Sequence, residues 1–147
     1  MTHLILRSTV LVAGAALMSI GLAFAAGSVG PEREATMKEL NKQVKTLSTE
    51  VKSGKFDAAT TKAAGAAIEA GLDHAKTLFP PGSEKAAKGA KPTIWTDRAG
   101  FDAQIAKAQE ASKAVAAATD IASLKVAVAA QGDACKACHE KYRSADY

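Results

Sequence analysis

Aromatic side chains supply only 5% of the 147 residues, so the core of this chain contains few large rings. The 48% hydrophobic share leans on alanine, which favours helix but contributes little core volume. Such a core tends to need a filler. No stretch shows the apolar and polar alternation of a half-buried strand, and no internal repeat stands out. Neither sign of charge dominates: 19 Lys and Arg face 15 Asp and Glu, for a net charge of +4, which is too mild to imply a nucleic-acid partner. A catalytic constellation is also missing. There is no Ser/His/Asp set and no second metal cluster, and the scattered carboxylates read as helix surface, so the chain is not read as an enzyme. Cys135 and Cys138 are the only two cysteines, too close together to staple distant parts of a fold. Their purpose is local.

The one long apolar run lies at the start. Arg7 stands in a short polar lead, Thr9 to Leu22 are mostly apolar, and Ala23-Phe24-Ala25 fits the small-x-small cleavage rule. A signal peptide over residues 1–25 follows, cleaved after Ala25 or Ala26, with residues 26–147 as the domain and the periplasm as its location. The run is short for a spanning helix and is interrupted by Gly14, Ser19 and Gly21, so no stable membrane anchor is expected after cleavage. Removing Arg7 leaves 18 basic residues against 15 acidic ones and lowers the net charge to +3.

The remaining length suits one domain. A first helix is predicted from Glu32 to Lys52, with Pro31 in its first turn and Gly54 as its stop. Met37, Leu40, Val44, Leu47 and Val51 form its apolar stripe. A second helix starts after an Asp57 cap and ends where Phe79-Pro80-Pro81-Gly82 forbids continuation. A long loop from Pro80 to Thr96 is functional or mobile. The third helix begins near Thr96 or Asp97 and turns Phe101, Ile105, Ala108 and Val115 inward; the fourth runs from about Asp120 to Arg143. The fold class is all-α, an antiparallel four-helix bundle. Its topology brings the start of the first helix and the end of the fourth to one end.

Cys135-Lys136-Ala137-Cys138-His139 has the C-x-x-C-H form that attaches c-type heme: two thiols add to the vinyl groups, and the adjacent histidine binds iron. At ~100° per residue the two sulfurs lie ~60° apart on one face, with His139 one turn after Cys135. Leu124, Val128 and Tyr142 share that face, and Gly132 lies one turn ahead of Cys135. A thiol oxidoreductase places its dithiol at a helix N-terminus, where the dipole lowers the thiol pKa, whereas this pair sits near a C-terminus. A structural zinc site wants four ligands, and only His139 stands beside the pair.

The C-K-A-C-H-E-K-Y-R run, the K-P-T-I-W stretch ending at Trp95, and Arg33 four residues ahead of Met37 give nearly all of the mature chain a resemblance to the class II c-type cytochromes, the cytochrome c′ family. The resemblance implies one covalent heme c at one end of the bundle, with Cys135 and Cys138 as attachment points and His139 as proximal iron ligand. It places Met37 on the open side of the ring, where methionine either completes a low-spin Met/His centre suited to electron transfer or crowds a five-coordinate iron that binds nitric oxide or carbon monoxide. The first of these is the expectation carried forward, because Met37 is the only methionine after cleavage and His74 stands at a helix rim. The resemblance also implies that Arg33 meets the heme propionates. Its further implications are redox partner proteins and a homodimer through the first two helices. Trp95 is expected to anchor the start of the third helix.

Overall fold

Four long helices begin and end at residues whose chemistry requires it. A computed structural model describes residues 29–86 and 88–145; the proposed signal peptide lies outside them. Helix α1 spans Val29–Ser53, α2 Ala58–Thr77, α3 Thr93–Thr96, α4 Arg98–Ala116 and α5 Ile121–Tyr142. Asp57 caps α2 as predicted, and Asp97 and Asp120 cap α4 and α5 in the same way. Asp57 accepts from the Thr60 amide at 2.7 Å, Asp97 from Gly100 at 3.1 Å, and Asp120 from Ser123 at 2.7 Å, with the Ser123 hydroxyl completing a reciprocal box. Helix α1 starts three residues earlier than predicted, since Pro31 in its first turn sacrifices only an amide that has no helical partner.

Helices α1, α2, α4 and α5 form the antiparallel four-helix bundle, and among the described residues there is no strand, only an isolated bridge between Ala90 and Arg143. Extensive seams join α1 to α2, α2 to α4 and α4 to α5, whereas α1 meets α5 along a much smaller stretch. The core holds Leu47, Ile68, Leu72, Ile105, Val115 and Leu124, all nearly or completely buried. At one end it finishes in an edge-to-face aromatic run from Trp95 through Phe79 and Phe101 to Tyr142, with successive centroids 5.9, 5.1 and 5.3 Å apart.

The connection after α2 is tied down at its start and near its end, at residues 78–83 and at Trp95. The last carbonyls of α2 lack helical donors, and two arginines supply them. Arg33 of α1 donates through Nε to Leu78 O at 2.5 Å and through Nη2 to Ser83 Oγ at 2.6 Å. Arg98 of α4 donates to Lys76 O and Phe79 O, both at 2.9 Å. Trp95 Nε1 and Ser83 Oγ both donate to Pro80 O, at 3.0 and 2.7 Å. Each cation also lies against a ring, Arg33 over Phe79 and Arg98 over Phe101.

Asp97 serves two elements. Besides capping α4, its carboxylate accepts the Tyr142 hydroxyl at 2.8 Å and pairs with Lys141 Nζ at 2.7 Å. A methyl group at Gly100 would lie 2.4 to 2.6 Å from the Asp97 oxygens and the Tyr142 hydroxyl, so any side chain there would have to push these groups out of the junction.

Replacing Arg33 with Met strands Leu78 O in a buried setting and takes one donor from the Ser83 hydroxyl, which keeps its bond to Pro80 O, at a cost of about 1–3 kcal/mol; thermal unfolding should show a drop of several degrees. The bonds from Lys141 and Tyr142 hold the Asp97 carboxyl below the usual aspartate range. A lowered folded-state pKa gives stability that is present above the unfolded value and lost as pH falls through the folded one. Asp97→Asn should therefore be less stable than wild type at pH 7, with the gap closing as pH falls from about 5 toward 2, as read by denaturant titration.

Candidate heme site

The inward stripe of α5 carries Leu124, Gln131 and Tyr142, all buried. Cys135 and Cys138 continue it as half-buried free thiols, and His139 stands at its exposed edge. Cys138 packs against the hydrophobic core. This is the flank predicted from the wheel, with one residue added. Gln131, not Gly132, occupies the middle of the stripe. Its spacing, seven residues after Leu124 and four before Cys135, was the available signal. Its Nε2 donates to Cys135 Sγ at 3.5 Å, while its buried Oε1 has no partner.

The donor set fits a covalently bound heme. A methyl group at Gly132 would meet no other atom within 4 Å, so the side of α5 one turn ahead of Cys135 is open. Two unpaired thiols and an imidazole border that opening. Desolvation first, and the Arg143 cation second, lower the His139 pKa, a shift that favours the neutral ring, the form that binds a metal. Burial, reinforced by Cys135, pushes the Cys138 thiol up to about 11. A reactive redox dithiol needs the opposite shift. Among the described residues, no cluster of three or more His, Cys, Asp or Glu side chains is placed to hold a metal ion.

Met37 lies on the second turn and a half of α1, half-buried and outside the core cluster that Leu40, Val44 and Val51 pack against. The topology places it at the same end of the bundle as His139, as predicted. Arg33, one turn earlier, is buried and turned toward the end of α2. A cation near a helix start is disfavoured by the dipole; the carbonyl end of α2, together with Glu84, offsets it. Trp95 anchors the loop through Pro80 as well as packing at the start of α4. His74 sits at the rim, paired with Glu32 at 3.0 Å.

The family model for cytochrome c′ matches residues 30–143. The chain is 33% identical to cytochrome c′ of Rhodopseudomonas palustris over 136 residues, covering 90% of this chain and 93% of that protein. Its fold is similar to the crystal structure of cytochrome c′ from Rubrivivax gelatinosus, with a TM-score of 0.72 and 29% identity over 81% of this chain and 97% of that one. It is equally similar to the nitric oxide complex of a leucine-to-valine mutant of cytochrome c prime from Alcaligenes xylosoxidans, with a TM-score of 0.74 and 27% identity over 81% and 96% of the two chains. The helical frame, the C-x-x-C-H flank on α5 and these matches agree: the chain belongs to the cytochrome c′ family, monoheme c-type cytochromes with one covalent heme c.

Proposed function

We propose that this chain is a periplasmic gas-binding cytochrome whose heme is held by Cys135, Cys138 and His139, with Met37 crowding an open sixth position rather than filling it. The observation that carries this reading is the match to cytochromes c′ along the bundle, one of them a nitric oxide complex. It replaces the expectation that Met37 completes a low-spin centre for electron transfer, which has no support among these relatives. In heme attachment each S–H adds across one vinyl double bond, so a C–S bond forms and the hydrogen goes to carbon. When bound, heme supplies an iron able to take a diatomic ligand or one electron.

The protein residues set the terms. His139 in its neutral form offers its ring nitrogen from the end of α5. Met37 stands across from it on α1, a flexible thioether that a small ligand can push aside and a larger one cannot. Arg33 keeps its bonds to Leu78 and Ser83 while its charge favours the propionate carboxylates at this end. Among the described residues, no helix is long and apolar enough to cross a membrane, which suits a protein released after its signal is removed. Redox partner proteins and pairing of two copies through α1 and α2 belong to the same proposal.

A second reading keeps Met37 as sixth ligand and the protein as an electron carrier. The observation in its favour is that Met37 lies outside the core cluster, so it is not a core filler.

Optical and EPR spectra of wild type and Met37→Ala separate the two. The expected result is a high-spin wild type, a high-spin variant, and carbon monoxide affinity raised on the order of tenfold in the variant, equivalent to ~1.4 kcal/mol of relieved crowding. A low-spin wild type that turns high-spin in the variant would favour electron transfer. A Cys135→Ser, Cys138→Ser double variant should lose the covalent heme stain and unfold over a broad range, because an alanine-rich bundle is underpacked without the ring. Sharp cooperative unfolding of that variant would refute the packing argument.

A further inference from the structure

The turn of α5 that carries His139 is held from outside the helix. His139 O still accepts the helix's own last bond, from the Arg143 amide at 2.9 Å, but the carbonyls after it have no helical donors. Glu140 O accepts Lys91 Nζ at 2.8 Å, and Tyr142 O accepts the Lys91 amide at 2.9 Å. One residue, 49 positions from Glu140, thus serves two of these carbonyls, one with its side chain and one with its backbone. Ser144 then donates to Gly89 O at 2.9 Å, and Ala90 forms an antiparallel bridge with Arg143.

The sequence explains why Lys91 can do this. Gly89, at φ +76, turns the chain back along α5. Pro92 keeps Lys91 extended, since the ring clashes with a helical residue before it. The backbone of residue 91 therefore runs beside 142–144 as a short strap, and its ammonium reaches back one turn to the helix end, where the dipole favours a cation. The bond lies at the surface, and it places the Lys91 ammonium on a main-chain oxygen next to the proximal histidine.

We infer that Lys91 is a positioning residue for His139: its ammonium on Glu140 O keeps the last turn of α5 wound and so fixes the stance of the imidazole relative to the Cys135 and Cys138 flank. The inference rests on the reading of His139 as proximal ligand. Lys91→Met removes the ammonium while keeping both the length of the side chain and the main-chain bond to Tyr142 O, so the bundle is retained.

The test uses the purified holoprotein, with resonance Raman spectra of the ferrous state and amide hydrogen exchange at residues 141–144. In wild type an iron–histidine stretching band should be present. In Lys91→Met the band should shift and broaden, and exchange at the Arg143 amide should quicken by about tenfold as the turn opens. Lys91→Arg, which keeps the charge and a donor, should restore both; Lys91→Gln, too short to reach, should behave like Lys91→Met. Faster exchange with an unchanged band would make Lys91 a structural cap only and overturn the inference. An unchanged band with unchanged exchange would overturn it as well. A wild type whose ferrous state is high-spin and five-coordinate in the optical spectrum yet shows no iron–histidine band would instead overturn the reading of His139, and the inference with it.

Discussion

The carbonyl end of α2 is the constraint on which the heme-bearing end of the bundle depends. A helix stopped by Pro80 and Pro81 inside a protein leaves oxygens that water cannot reach fully. Arginine suits this position because its planar fork reaches several acceptors at once and its face stacks on rings. Here Arg33 comes from α1 and Arg98 from α4, so one helix end binds both of its neighbours. The aromatic run from Trp95 to Tyr142 fills the space between these cations and carries the order across to α5.

This arrangement divides the bundle into a firm side and a yielding side. The seams through α2 and α4 are extensive and locked at their ends, while α1 and α5 engage least. The cysteine and histidine flank of α5 and the half-buried Met37 of α1 both belong to that less engaged pair. A ring held between two helices needs walls that do not already fill each other's grooves, and a frame that keeps them from closing. The second requirement is met by groups far from the thiols in sequence, on the loop and at the end of α2.

Much of this was legible in the sequence because it is local. Asp57, Asp97 and Asp120 announce three helix starts, Pro80 and Pro81 announce a stop, and the C-x-x-C-H run declares its chemistry in five residues. What escaped was set by contacts across the bundle. Arg33 sat on the right face for the ring, but only the position of the α2 end reveals where its guanidinium goes. Gln131 was passed over because a polar residue within an apolar stripe reads as an interruption, although its spacing was that of a core position. Ile94 is buried within a segment that read as loop, since a single turn of helix is too short to show a period.

Gly100 has a consequence for how such chains can diverge. No side chain fits at that position while Asp97 caps α4 and receives the Tyr142 hydroxyl. Positions 97, 100 and 142 are therefore coupled: a side chain gained at 100 has to displace the phenol or re-site the carboxylate. The three can be exchanged together, or left alone, but a path that changes them one at a time crosses a less stable intermediate.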